Sequence, residues 1–244
     1  MNRSNNKILI TGGGTGIGLG LTERFLSENN TVIICGRREE ILKEAASKFP
    51  GLITRVCDVA NEDDRNELYN WISNDHPDLN VFVNNAGIQN WMDIGDEKFF
   101  EKAKQEVEIN ILAPLHLTSL FSKLPSIKTI INITSGLAFS PLAKVPVYCA
   151  TKAFFHSFTL SARYLLQQKN IEVIEIIPPA LNTDLGGKGI HDFAPPVQGF
   201  IDAVFEQLHA SKKTITYGMS DFIANAGGNE LKVAFEKMNP PVAH

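Results

Sequence analysis

The sequence predicts an α/β protein, a single domain with a doubly wound parallel sheet of about seven strands and helices on both faces. Short apolar, β-branched runs alternate with amphipathic helical stretches along most of the 244 residues. Those runs are nearly continuous in Val and Ile rather than alternating, as expected of strands buried on both faces. A glycine-rich turn also joins the first run to the first helical stretch. Strand and helix repeated in this order argue for a sheet wound in two directions.

The strands are expected at 7–11 (KILIT), 31–35 (TVIIC), 52–57 (LITRVC), 80–84 (NVFVN), 129–134 (TIINIT), 171–177 (IEVIEII) and 213–217 (KTITY). Helical patterns fill the gaps at 16–28, 38–48, 62–74, 97–123, 146–169 and 197–210. No linker, repeat or low-complexity tract divides the chain, so residues 1–244 read as one domain. The irregular stretch 178–196 is too long for an ordinary connection and reads as a substrate-binding loop that orders on binding. The tail, 219–244, reads as a short terminal helix or a partner-facing surface. In such a sheet a ligand lies at the carboxyl ends of the strands, where the strand order reverses.

Composition narrows the class. Hydrophobic content of 43% and charged content of 20% are ordinary for a globular chain. A net charge of -4 gives no reason to expect a nucleic-acid partner. No apolar run approaches the roughly 18 to 20 residues of a membrane helix. MNRSNNK leads straight into a strand without a signal-peptide core, which points to the cytoplasm. Cys35, Cys57 and Cys149 have neither metal-ligand spacing nor an even count, so they read as reduced, buried thiols. The six histidines show no metal spacing, so no metal site is expected. His191 in the long loop is a candidate substrate contact, with simple solvation as the plainer alternative.

Six of the twelve residues in LITGGGTGIGLG (9–20) are glycine. The G-x-G-x-x-G and P-loop patterns fail in every register, whereas G-x-x-x-G-x-G fits at Gly12, Gly16 and Gly18 and again at Gly14, Gly18 and Gly20, the first being favoured because Thr11 ends the strand. A glycine directly after the strand permits the tight turn, and the later ones admit a phosphate and close helix–sheet packing. Thr15 and Ile17 lie between them, where backbone amides at the helix N-terminus face a pyrophosphate. Gly13 and Gly14 read as turn spacers, and Gly20 as a helix residue.

The second strand ends in CGRRE, with Gly36 where an NAD-preferring fold places an acid for the ribose 2′-hydroxyl. Arg37 and Arg38 follow, and a guanidinium fork suits a 2′-phosphate. The plainer reading is a solvated pair balanced by Glu39 and Glu40. In YCATK, Tyr148 and Lys152 stand at i and i+4 and share a face if the stretch is helical. An ammonium that close is expected to lower the phenol's pKa. That would suit the phenol to exchange a proton with a hydroxyl or carbonyl oxygen.

TGGGTGIG (11–18), NNAG (84–87), the Asn of EIN (108–110), ITSG (133–136) and YCATK (148–152) together resemble the short-chain dehydrogenase/reductase family. Order and spacing agree, including thirteen positions from Ser135 to Tyr148, over roughly residues 7 to 217. The resemblance implies a Rossmann-type fold and a set of roles. Tyr148 becomes the catalytic acid/base. Lys152 lowers its pKa and bonds the nicotinamide ribose. Ser135 orients the substrate oxygen, and Asn110 holds a water in the proton relay. Asp58 bonds the adenine amino group beside Val59. Asn84, Ala86 and Gly87 run under the cofactor, Pro178 lines its nicotinamide end, and Thr183 bonds the carboxamide. Gly36-Arg37 resembles the NADP-preferring members. For Ser135 and Asn110, capping or satisfying local backbone groups remains an alternative.

One departure stands out: Pro178-Pro179 replaces the Pro-Gly usual in the family, which implies a differently shaped nicotinamide end. VIICGRREEIL, TSGLAFSPLA and PVYCATKAFFHSF resemble the bacterial DltE-type branch, which implies no particular substrate. The expected activity is NADP(H)-dependent hydride transfer to or from a small carbonyl or secondary alcohol. The alternatives are an NADP(H)-sensing or scaffold protein, or an epimerase or dehydratase on the same fold. Phe139, Pro141, Leu142 and Val145, with the 182–195 loop, are expected to form an apolar substrate pocket. The family resemblance also implies a homodimer, or a homotetramer, paired through the helices at 97–123 and 146–169.

Overall fold

The computed structural model describes residues 1–240. Strands β1 (Lys7–Thr11), β2 (Thr31–Gly36), β3 (Ile53–Val56), β4 (Val81–Asn84), β5 (Thr129–Ile133), β6 (Glu172–Ile177) and β7 (Thr214–Thr216) form one sheet. Its order is β3-β2-β1-β4-β5-β6-β7, and every pairing is parallel. The order reverses between β1 and β4, and a cleft opens at the carboxyl ends of those strands.

Helices α1 (Gly16–Ser27), α2 (Glu39–Lys48) and α3 (Glu62–Asp75) follow the first three strands. After β4 come α4 (Phe99–Val107) and α5 (Ala113–Phe121); α6 (Pro146–Gln167) and α7 (Val197–His209) follow β5 and β6. The sequence pattern is continuous over 97–123, but a π-helical turn, Glu108–Leu112, separates α4 from α5. Pro114 has no amide to give the Asn110 carbonyl, so the α-helical register cannot run through this point.

Successive strand residues feed two cores, which explains the unbroken apolar runs. Ile8 and Ile10 pack with α1, α2 and α7 on one face, where Phe25 and Phe205 meet edge-on at 4.7 Å. Leu9, Ile33 and Phe82 pack with α3 and α5 on the other. Of the tail, 241–244 lie outside the described residues; α8 (Met219–Asn225) and α9 (Gly228–Met238) return the rest to the cleft, and Asn239 bonds the backbone of Pro141 and Ala143. Among the described residues, no helix is long and apolar enough to cross a membrane. Nor does any group of His, Cys, Asp and Glu among them suit a metal ion.

Candidate active site

The turn between β1 and α1 forms the floor of the cleft. Gly12 and Gly16 take left-handed backbone conformations, φ +65 and +51, which L side chains rarely adopt. Gly18 is needed for a different reason: a Cβ there would lie 2.2 Å from the Gly12 carbonyl. It therefore serves helix–turn packing, while Gly12, Gly14, Thr15, Gly16 and Ile17 line the cleft. Asn85 secures the turn from β4, donating from Nδ2 to the carbonyls of Thr11 (2.9 Å) and Gly12 (3.1 Å). Thr11 Oγ1 accepts from the amides of Asn85 and Ala86, both at 3.0 Å.

Asn84, expected beneath the cofactor, is turned the other way. Its Nδ2 donates to Thr118 (3.0 Å) and Asn132 (2.9 Å) inside the core. The cleft-lining members of this segment are Asn85, Ala86 and Gly87. Successive strand residues face opposite sides, and the asparagine doublet hides which one reaches the mouth.

At the end of β2, Gly36, Arg37 and Arg38 line the cleft, and both arginines are exposed. Glu39 pairs with Lys43 instead, and neither arginine has a salt-bridge partner among the described residues. Asp58 uses Oδ1 to accept from the Ala60 amide at 3.0 Å, leaving Oδ2 for another donor. Arg65 fixes the neighbouring backbone by donating to the Val59 carbonyl at 2.6 Å.

Tyr148, Ser135 and Lys152 converge on the cleft wall at 5%, 8% and 6% exposure. Ser135 caps a short 3-10 turn, Gly136–Ala138, its Oγ accepting from the Leu137 amide at 3.1 Å. The local-cap alternative therefore holds, yet it leaves the hydroxyl proton for the Tyr148 oxygen or for a ligand in the cleft. The same turn brings Leu137 into the lining and sends Phe139 against His156, with ring centroids 4.5 Å apart. Of the four side chains expected beside the loop only Leu142 lines the cleft, with Leu185, Phe193, Ala194 and Pro195 of the 182–195 loop as expected; Val145 packs behind Tyr148, and Phe139 and Pro141 lie outside.

Lys152 Nζ donates to the Ile133 carbonyl at 2.9 Å and sits 5.7 Å from the Tyr148 ring centroid. Burial lowers the Lys152 pKa to about 8. The expected lowering of the Tyr148 pKa is not found: burial raises the phenol well above its ordinary value, opposed only in part by a hydrogen bond with Ser135. The i,i+4 spacing sets the neighbour, but desolvation outweighs it. Asn110 Oδ1 accepts from the Ile88 amide (2.9 Å), while its Nδ2 serves the Ile88 carbonyl and Thr151. Both donors are thus engaged, and one Oδ1 lone pair remains for a water.

Glu106, which the sequence did not single out, is fully buried on α4 and takes the Asn90 amide. Burial raises its pKa to about 7. The folded state then holds a proton that the unfolded chain releases, so this stabilisation is complete below about 4.5 and lost as pH rises through about 7. Glu106→Gln is expected to unfold at higher urea concentration than wild type at pH 8, by on the order of 2 kcal/mol, with the gap closing by pH 4.5. Parallel stability profiles would refute that assignment.

The remaining expected residues, Pro178 and Thr183, line the cleft, and the Pro178 carbonyl accepts from the Gly136 amide at 3.0 Å. Met219, Ser220, Ile223 and Met238 reach it from the tail, a contribution absent from the sequence reading. The cleft measures about 1590 Å³, above the roughly 300–1,000 Å³ of ordinary small-ligand pockets. Amides at a helix N-terminus, a free carboxylate oxygen and two unpaired guanidinium groups fit a phosphorylated dinucleotide, with room for a second molecule.

Fold and site together define a dinucleotide-binding α/β oxidoreductase. The family model for short chain dehydrogenases matches residues 6–192, and the chain belongs to the short-chain dehydrogenase/reductase family. It is 42% identical to the uncharacterized oxidoreductase DltE of Bacillus subtilis, covering 98% of each chain. It is 30% identical to the NADP-dependent 3-hydroxy acid dehydrogenase YdfG of Shigella flexneri, over 70% of this chain and 71% of that one. A Burkholderia cenocepacia short chain dehydrogenase crystallised with NADP shares the fold at TM-score 0.86 and 23% identity, covering 99% of this chain and 100% of the other.

Proposed function

We propose that the protein is an NADP(H)-dependent enzyme that interconverts a small carbonyl compound and its secondary alcohol, with Tyr148 as general acid/base. The observation that carries this reading is the convergence of Ser135, Tyr148 and Lys152 beside a cleft whose other end presents two unpaired arginines. NADPH, when bound, supplies the hydride. Gly12, Thr15, Gly16, Ile17 and, through packing, Gly18 cradle its pyrophosphate; Arg37 and Arg38 take the 2′-phosphate. Asp58 and Val59 hold the adenine, Ala86 and Gly87 run beneath, and Pro178 and Thr183 face the nicotinamide. Lys152 and Tyr148 meet the adjoining ribose. The names of the Shigella relative and the Burkholderia structure, both carrying NADP, support the cofactor.

Ser135 turns its hydroxyl proton from Tyr148 to the substrate oxygen and orients it. The Tyr148 hydroxyl then transfers its proton to that oxygen as negative charge develops there. Lys152 holds a positive charge behind the phenol, and a water on Asn110 continues the relay toward solvent. A sensing or scaffold role has no use for this buried group. Consumption of NADPH with a carbonyl panel is expected; NADPH binding without oxidation of any member would sink the reading. Cofactor retained through turnover without net redox change would favour an epimerase or dehydratase.

The outer faces of α4–α6 expose Phe100, Leu112, Phe154, Leu160, Tyr164 and Leu165, an apolar surface suited to a homodimer. Phe154→Glu with Leu165→Glu is expected to halve the mass measured by light scattering. An unchanged mass would place the interface elsewhere. Three free, buried cysteines fit a reducing, cytoplasmic location.

A further inference from the structure

The cleft holds polar atoms that the catalytic group does not use. Gln89, between β4 and α4, is 7% exposed, and its Oε1 is buried without a hydrogen-bond partner. It abuts the 178–196 loop: a Cβ at Gly186 would lie 3.0 Å from that oxygen. His191, on the same loop, has a buried Nδ1 without a partner, whereas the Asn90 side chain faces the Glu106 carboxylate. All three residues line the cleft. Buried polar atoms are nearly always paired, and an unpaired one retains its full desolvation penalty. Two such atoms, on the segment after β4 and on the loop that packs against it, point to a ligand that pairs them.

The atoms indicate its chemistry. Gln89 Oε1 is an acceptor and needs a donor. A hydroxyl supplies one, and a carboxylate does not. Charge gives the same answer. Arg37 and Arg38 lie at the distant β2 end, and Lys152 is bonded to the Ile133 carbonyl. Lys104, the remaining cleft-lining cation, sits over the Phe100 ring at 5.1 Å, a turn from Glu108, whose partner Arg65 bonds the Val59 carbonyl. Of the charged groups near Gln89, Asp184 on the loop lines the cleft, whereas Glu106 behind Asn90, Lys102 on the Trp91 carbonyl and Lys144 over the Trp91 ring do not. Leu137, Leu142, Leu185, Met219 and Ile223 make the rest of this end apolar.

We propose that this end of the cleft takes a neutral carbonyl compound with a hydroxyl beside the reacting carbon and an apolar tail, and that Gln89 and His191 read the hydroxyl. The substrate class rests on the reductase reading above; the binding preference does not. A carboxylate substrate, of the kind named for the Shigella relative, is disfavoured.

The test uses three compounds on one carbon skeleton: 1-hydroxyhexan-2-one, hexan-2-one and 2-oxohexanoate. Wild-type kcat/KM is expected to be about 10²-fold higher for the hydroxyketone than for either other compound, since a site built around a hydroxyl rejects analogues lacking it. Gln89→Leu and His191→Leu should each lower the hydroxyketone value by about tenfold, leaving hexan-2-one and NADPH affinity within about twofold. In parallel, calorimetry on the NADP-loaded protein compares hexane-1,2-diol, hexan-2-ol and 2-hydroxyhexanoate. Tightest binding of the diol, lost in Gln89→Leu, upholds the subsite even if no carbonyl is reduced, in which case only the reductase reading falls. Equal binding of diol and hexan-2-ol, or a preference for the carboxylate, overturns the proposal. So does a loss in Gln89→Leu that is equal for all ligands.

Discussion

Tyr148→Phe is expected to keep NADPH affinity within about twofold to threefold of wild type and to lower kcat by about 10²–10⁴-fold, the range for a positioned general acid. The substitution removes one oxygen from a ring packed in a small cluster with Val145 and Cys149, so the wall should keep its shape. The expected loss is chemical because Ser135 can still orient the substrate oxygen but cannot pass it a proton from the buried side. Burial holds the phenol above its usual pKa, so it remains protonated throughout the neutral range. That favours proton donation in the reductive direction. Alcohol oxidation needs the phenolate and should accelerate steadily with pH. Lys152→Met separates the roles, since it should weaken NADPH binding as well as turnover. Unchanged turnover in Tyr148→Phe, with a matching thermal midpoint, would refute the acid/base assignment.

How legible each part was depends on where its cause lies. The strands agreed with their apolar runs to within a residue or two because a sheet covered on both faces imprints itself on every position. The break at Glu108–Leu112 was less visible: apolar periodicity barely registers one extra residue in a turn, and Pro114 alone marked the place. Tyr148 and Lys152 were legible because both lie on one helix, and their spacing fixes their neighbourhood. Their electrostatics were not, since the burial that raises one pKa and lowers the other comes from segments remote in sequence. Asn84 was read in place of Asn85 for a related reason, a doublet that could face either way. Gln89, Asn90 and Met238 carried no motif; only the folded chain brings residues 88–91, 182–195 and 219–238 around one pocket.

The end of β2 should decide between the two nicotinamide cofactors, and Gly36→Asp with Arg37→Ala is expected to reverse the choice. Arg37 and Arg38 face the cleft without carboxylate partners, so neither must break an ion pair to meet a 2′-phosphate. A charge-assisted hydrogen bond contributes about 1.5–3 kcal/mol, so removing one guanidinium should cost NADPH roughly 10–10²-fold in affinity. Both arginines are exposed, so salt should weaken NADPH binding more than NADH binding in the wild type. The new aspartate adds the other half. A Cβ at Gly36 would meet only Leu42 Cδ2, at 3.8 Å, an ordinary contact, so the substitution should fold without strain. Its carboxylate would repel a 2′-phosphate and accept from a 2′-hydroxyl, improving NADH as it worsens NADPH. The two effects should combine to a change in the kcat/KM ratio of about 10²-fold or more. A double variant that loses NADPH but gains nothing with NADH would show that the arginines bind the phosphate while Gly36 has no part in the choice. A variant that keeps the wild-type ratio would remove this end of the cleft from cofactor recognition.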